Sequence, residues 1–192
     1  MPPVPTLLWG RGLGPVYGSM DQDVRVHTLL QDARDRATAR GVTTFGMEAP
    51  DGPFQRVVTR LPRSKDALKW RLAVAAAALP PEGVLVLAGH QREGIKSAIK
   101  LLESSVGPVV TARIKRRCRV LVARRREQVS PPPGLDQVAR TVSFEAAGKP
   151  LTAVTLPGVF SHGRVDEGTR RMLAWLETEP PSGRVLDLGA GA

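Results

Sequence analysis

The stretch Gly83-Val84-Leu85-Val86-Leu87-Ala88-Gly89-His90-Gln91-Arg92-Glu93-Gly94, running on into Ile95-Lys96-Ser97-Ala98, decides the fold class. Val84 to Leu87 is apolar at every position, which predicts a strand covered on both faces, as in a parallel sheet. A polar turn framed by glycines follows, and Ile95, Ala98, Ile99 and Leu102 then recur on one face of a helix. Strand, glycine turn and helix in that order open an α/β sheet. Upstream, the Ser64 hydroxyl can cap the free amides of another helix, with Asp66 at the positive end of its dipole and Leu68, Leu72, Ala75 and Leu79 on its apolar face. Pro80 and Pro81 stop that helix, because proline has no N–H with which to continue it.

Working outward, Phe54 to Leu61 reads as a strand, and residues 1–19, rich in Pro and Gly, read as a loosely held lead-in. Val26, Leu29, Leu30, Ala33 and Ala37 predict an amphipathic helix from Asp21 to Arg40, closed by Gly41. Strands are expected at Val109 to Ile114 and Cys118 to Ala123. After Pro131-Pro132-Pro133-Gly134, Arg140 to Glu145 and Leu151 to Leu156 form a hairpin around Gly148-Lys149-Pro150. A loop from Pro157 to Arg164, a helix from Glu167 to Glu177 and a closing strand from Arg184 to Leu188 complete the reading.

The chain has 192 residues and a formal net charge of +10, from 28 Lys+Arg against 18 Asp+Glu, which points to an anionic partner. Its longest uncharged apolar stretch, Leu72 to Pro81, is far short of the roughly 18–20 residues of a membrane helix. Met1 to Met20 lacks the basic cluster and long apolar run of a secretory signal. A single cysteine, Cys118, excludes an internal disulfide and any zinc site built on several cysteines, and makes a reducing, cytosolic setting the default. His27, His90 and His162 show no metal-ligand spacing.

Charge is concentrated in one segment. Arg113, Lys115, Arg116, Arg117, Arg119, Arg124, Arg125 and Arg126 put eight positive charges and no negative one into 14 residues. Such a run suits phosphate contacts, and strand alternation places Arg117 and Arg119 on one face with Cys118 and Val120 on the other. The ordinary alternative is charge that protects a sheet edge from pairing. No aromatic residue lies near it, which argues against a platform for stacking unpaired bases.

Two further patterns bear on chemistry. Leu79-Pro80-Pro81-Glu82-Gly83-Val84-Leu85-Val86-Leu87 is echoed by Glu179-Pro180-Pro181-Ser182-Gly183-Arg184-Val185-Leu186-Asp187-Leu188. This is either a common helix stop used twice or two tandem domains, the second cut off at its first strand. The chain ends Asp187-Leu188-Gly189-Ala190-Gly191-Ala192. A strand running into Gly-x-Gly lets the backbone approach a ligand closely. The acid two positions before the first glycine favours S-adenosylmethionine, whose cationic amino-acid portion accepts a carboxylate where a pyrophosphate would not. A nicotinamide or flavin site, and a strand end that binds nothing, remain as alternatives.

Leu61-Pro62-Arg63-Ser64-Lys65-Asp66-Ala67-Leu68, the segment from Val84 to Ala98, Leu156-Pro157-Gly158-Val159-Phe160-Ser161, Val165-Asp166-Glu167-Gly168-Thr169 and the terminal Asp-x-Gly-x-Gly together resemble the small-subunit ribosomal RNA guanine-N2 methyltransferases. The resemblance covers residues 55–192. It implies a Rossmann-like class I methyltransferase sheet with helices on both faces, present twice. Residues 1–54 are then a lead-in and a helix packed on the first domain, 55–156 a degenerate copy, and 157–192 a linker with the first helix and strand of a truncated catalytic copy. It further implies S-adenosylmethionine held by Asp187, Gly189 and Gly191, with Ser161, Asp166 and Thr169 beside the donor site. From physics alone Asp166 is a helix cap and Phe160 a core aromatic. Val86 occupies the place that Asp187 fills in the second copy, so the first turn lacks the acid.

Activity in the family depends on an Asn-Pro-Pro-Phe-type tetrapeptide, and this chain contains no asparagine. The resemblance therefore implies a cytoplasmic, monomeric methyltransferase that acts on ribosomal RNA or the small ribosomal subunit without a membrane, with this chain inactive by itself. A non-enzymatic RNA-binding or domain-stabilising module, and a class I methyltransferase acting on protein or small molecules, are the competing readings.

Overall fold

In a computed structural model, residues 5–9 and 54–186 are described in full and residues 24–27 and 43–45 as backbone. Seven strands make one sheet: β1 (Thr6–Trp9), β2 (Val24–His27), β3 (Thr43–Phe45), β4 (Arg56–Arg60), β5 (Val84–His90), β6 (Val109–Lys115) and β7 (Cys118–Arg124). Their order is β3-β2-β1-β4-β5-β7-β6. The pairs from β3 to β5 are parallel, whereas β7 runs antiparallel to both β5 and β6. Strand order therefore reverses between β1 and β4, the kind of switch point where open α/β sheets bind ligands.

Residues 1–19 are not simply a lead-in. Thr6–Trp9 is a central strand, with Leu7 and Leu8 fully buried between β2 and β4. The early prolines hide a strand only four residues long, too short for periodicity to reveal. The helix expected over Asp21–Arg40 is likewise corrected: Val24–His27 is strand β2, since Val24 and Val26 alternate with period two and pairing with β1 overrides a helical pattern read over a longer window. The rest of that expected helix lies outside the described residues.

Helix α1 (Lys65–Ala78) begins at Ser64, whose hydroxyl accepts from the Ala67 amide, and helix α2 (Ala98–Ser105) follows a 3-10 turn at Gln91–Glu93. Both connections step the same way across the sheet, so the right-handed crossover rule puts α1 and α2 on one face. Leu85 and Leu87 are fully buried, while Val84, Val86 and Ala88 on the other face of β5 are half-buried. The expected burial on both faces is thus only partial. Gly89 is set by packing, since a Cβ there would lie 2.8 Å from Leu61 Cβ. Trp9 meets Trp70 edge-on, with ring centroids 5.9 Å apart, and the Arg71 guanidinium lies over the Trp9 ring at 5.5 Å.

The chain divides into two compact units, Met1–Pro133 and Gly134–Ala192. The second unit holds α3 (Leu135–Val138), the hairpin of β8 (Arg140–Ala146) with β9 (Lys149–Thr155), and α4 (Glu167–Thr178). The division falls before the hairpin, which the sequence reading places in residues 55–156. The closing strand expected from Arg184 does not form over Arg184–Leu186, where Val185 is 66 % and Leu186 79 % exposed. No neighbouring strand pairs with it there, and residues 187–192 lie outside the described residues. The first copy of the Pro-Pro-x-Gly echo leads into the fifth strand of the sheet rather than its first.

Candidate functional site

Of the residues the sequence assigns to a donor site, Asp187, Gly189 and Gly191 lie outside the described residues. Asp166 is the N-cap of α4: its carboxylate accepts from the Thr169 hydroxyl at 2.8 Å and from the amides of Gly168 and Thr169 at 2.9 and 3.3 Å. The Thr169 hydroxyl and amide, with the Gly168 amide, hold the Asp166 carboxyl below its ordinary range and so keep it ionised. Asp166 and Thr169 are therefore brought together, and Ser161 lies in the loop that follows β9. Ser161 has a φ of 55°, and its hydroxyl oxygen is buried with no hydrogen-bond partner. That loop is tied back to the hairpin by Thr155, whose hydroxyl oxygen accepts from the Gly163 amide at 2.9 Å and lies 3.1 Å from His162 Nδ1. Phe160 is not a core aromatic, for it is 81 % exposed.

Beside this loop, the second unit has a concavity of about 480 Å³ between β8 and α4, lined by Phe144, Arg164, Arg170 and Leu173 among others. His90 serves structure: its Nδ1 accepts from the Arg92 amide at 3.1 Å, while its own amide donates to Glu93. The hydrogen bond from the His90 amide lowers the Glu93 pKa, with Arg60 at 2.7 Å adding to it.

The eight basic residues do not form one patch. Opposite residues of an antiparallel pair share a face. Arg113 opposite Val120 and Lys115 opposite Cys118 thus stand on the face of Val122 and Arg124, and Arg119, opposite Gly89 and Ile114, stands on the face of buried Leu121 and Ala123. Arg117 does not share the Arg119 face as strand alternation predicts, because Arg116 and Arg117 form the turn between β6 and β7. Arg125 donates from Nε to the Ala76 carbonyl at 3.0 Å, and Arg126 donates from Nη2 to the Glu103 carbonyl, so both tie down the C-terminal turns of helices. Arg124 lies 3.9 Å from Glu82. Five cations at the far end of the hairpin are left.

The sequence carries a second glycine run near its start. The position after the first strand belongs to Gly10-Arg11-Gly12-Leu13-Gly14, which follows Thr6–Trp9 directly. Leu8, not an acid, stands two positions before the first of those glycines. Val86, by contrast, lies in the fifth strand and does not correspond to the place of Asp187.

Among the described residues, no helix is long and apolar enough to cross a membrane. Residues 19–140 match the family described as methyltransferase small domain N-terminal, and residues 150–192 match the methyltransferase small domain. The chain is 40% identical over 152 residues to the ribosomal RNA small subunit methyltransferase C of Stutzerimonas stutzeri, an alignment covering 79% of this chain and 45% of that protein. It is 38% identical over 169 residues to the protein of that name from Pseudomonas syringae pv. syringae, covering 86% and 48%. The chain thus spans about half the length of the curated relatives it matches. Among solved structures, the T. thermophilus 16S rRNA N2 methyltransferase in complex with AdoMet and guanosine superposes with a TM-score of 0.78 at 29% identity, over 93% of this chain and 50% of that one. The Bradyrhizobium japonicum N-methyltransferase NodS, at 16% identity and a TM-score of 0.52, shares the fold. The seven-strand sheet with its antiparallel β7 and the two consecutive family matches lead to one conclusion: the chain belongs to the methyltransferase small domain N-terminal family and runs on into the methyltransferase small domain that follows it.

Proposed function

We propose that this chain is the N-terminal part of an S-adenosylmethionine-dependent methyltransferase that modifies the exocyclic amine of a guanine in small-subunit ribosomal RNA, as a cytoplasmic monomer. The observation that carries the reading is the contrast between two glycine runs. Gly10-Arg11-Gly12 follows β1 with Leu8 in the acid's place, and Gly189-Ala190-Gly191 follows Asp187. The first domain then keeps the sheet without the donor, and the domain that opens after the β8–β9 hairpin takes it.

S-adenosylmethionine supplies an electrophilic methyl group when bound. Asp187 would hold the cationic amino-acid portion and Gly189 and Gly191 would let the backbone come close, while the unsatisfied Ser161 hydroxyl and the ionised Asp166 are each polar groups of a kind that suits the donor's amine and hydroxyls. Transfer to a guanine amine needs the nitrogen lone pair aimed at the methyl carbon, so positioning is the main contribution of the protein.

Disrupting the gene and analysing the nucleosides of small-subunit ribosomal RNA tests this. The expected result is the loss of one N2-methylguanosine, restored by the wild-type gene and not by an Asp187→Ala variant. An unchanged nucleoside content would remove the reading and leave a non-enzymatic RNA-binding module.

A further inference from the structure

The turn that closes the β6–β7 hairpin holds Arg116 at φ 48° and Arg117 at φ 63°, between the paired Lys115 and Cys118. Two successive residues at positive φ mark a type I′ turn, which ordinarily takes Asn-Gly, Asp-Gly or Gly-Gly because a Cβ there crowds the following carbonyl oxygen. Two arginines depart from that preference, so the turn is not optimised for folding alone. The turn is also held in place, for the Gln91 amide donates to the Arg117 carbonyl at 2.9 Å.

Around this tip the charge has three directions. Arg113 and Lys115 stand on one face, Arg119 on the other, and Arg116 and Arg117 are exposed at the end. None of the five has a carboxylate partner among the described residues, and the Arg119 Nε is buried without any hydrogen-bond partner. Protection of the β6 edge would account for charge along that strand. It does not account for arginines in the turn, whose strained backbone lies beyond the ladder.

We propose that the tip of the β6–β7 hairpin is a cationic prong that lies across the mouth of the narrow major groove of a double-helical RNA, with Arg116 and Arg117 contacting phosphates on opposite strands. This rests on reading the protein as one that acts on RNA. Cations on both faces and at the tip match phosphates on two sides, as in the narrow major groove of A-form RNA. From Val109 to Arg124 there is no aromatic residue, so unpaired bases have nothing to stack on. Binding through phosphates is independent of sequence and strongly dependent on salt.

The test uses the purified chain, a fully paired RNA hairpin of mixed sequence and a single-stranded RNA of equal length. The wild type is expected to prefer the paired RNA. The double variant Arg116→Asn/Arg117→Gly should lose roughly tenfold in affinity for it at 0.15 M salt and flatten the plot of log affinity against log salt by roughly 2, at about 0.9 per lost phosphate contact. The same variant should melt higher, by about 5 °C, because the turn strain is relieved. Arg116→Lys/Arg117→Lys, which keeps charge and strain, should retain the affinity and the wild-type melting temperature. Undiminished affinity and salt slope in the Asn/Gly variant would overturn the prong alone. Equal binding of paired and single-stranded RNA would overturn its duplex target, and no binding of either RNA by the wild type would overturn the prong while leaving nucleoside analysis to judge the methyltransferase reading.

Discussion

Among the described residues are two hairpins closed by two-residue turns at positive φ, and they are built on opposite terms. Between β8 and β9 the turn is Ala147-Gly148, at φ 51° and 66°, with its second residue a glycine that accepts the left-handed region without strain. Between β6 and β7 the same turn is Arg116-Arg117. The hairpins also differ in where they are held. The Ala147 amide donates to Glu177 Oε1 at 3.0 Å, so α4 grips the second hairpin at its turn. The first is held at its turn by the Gln91 amide and also at its base, where Gly107 lies close to the Arg124 carbonyl and the Arg126 amide donates to the Val106 carbonyl at 3.0 Å. A hairpin fixed at the base and in the sheet can carry a strained, charged tip, whereas one standing outside the seven-strand sheet has less packing with which to offset strain.

The largest effect that would break this contrast is expected at Gly107. It has a φ of 154°, and a Cβ there would overlap the Arg124 carbonyl oxygen, which sits in backbone that cannot yield. Gly107→Ala should cost roughly 3 kcal/mol in urea unfolding and loosen the base of the first hairpin. A cost under about 1 kcal/mol would mean that β7 is not anchored there.

Next in size is an exchange between the turns. Nothing lies within 4 Å of a Cβ at Gly148, so Gly148→Arg reports backbone strain alone and should destabilise the second hairpin by about 1–2 kcal/mol. Arg117→Gly should stabilise the first hairpin by about 1 kcal/mol. Hydrogen exchange resolved to each hairpin would read both changes. Opposite signs are expected, and equal signs would refute the view that the two turns differ in strain.

The smallest effect is a pH dependence confined to the second unit. The Asp166 pKa is lowered below 3.8 by the Thr169 hydroxyl and the helix amides, so its contribution to α4 is complete above that value. As pH falls through the lowered folded value, the contribution is lost. Amide protection in the first turn of α4 should therefore hold down to about pH 4 and decline below it. Asp166→Asn should abolish the decline. Identical profiles for the wild type and the Asp166→Asn variant would show that the Asp166 charge contributes nothing.

Much of the fold was legible. Ser64, Pro80 and Pro81 mark α1, the apolar run beginning at Val84 marks β5, and the hairpin β8–β9 is read from its turn glycine, because each signal is local and acts through a few neighbouring backbone groups. Thr6–Trp9 was not legible. Four residues make no periodic pattern, and their burial comes from β2 and β4, which are distant in sequence. Val24–His27 was misread for the same reason, since pairing selects the strand. At the candidate sites, the Asp166 cap followed from its position before α4, whereas the orphaned Ser161 hydroxyl and the left-handed arginines depend on backbone geometry that composition does not carry.

By itself, the sequence determined an α/β chain with its basic charge gathered between Arg113 and Arg126 and an Asp-x-Gly-x-Gly run at its end. These are properties of composition and near neighbours. Only the tertiary structure decided how that charge is divided. Strand register sends Arg119 to the face of the core, and helix ends take the side chains of Arg125 and Arg126. A turn two residues long then leaves Arg116 and Arg117 alone at the tip, because which cations are free depends on which carbonyls and carboxylates the fold brings within reach.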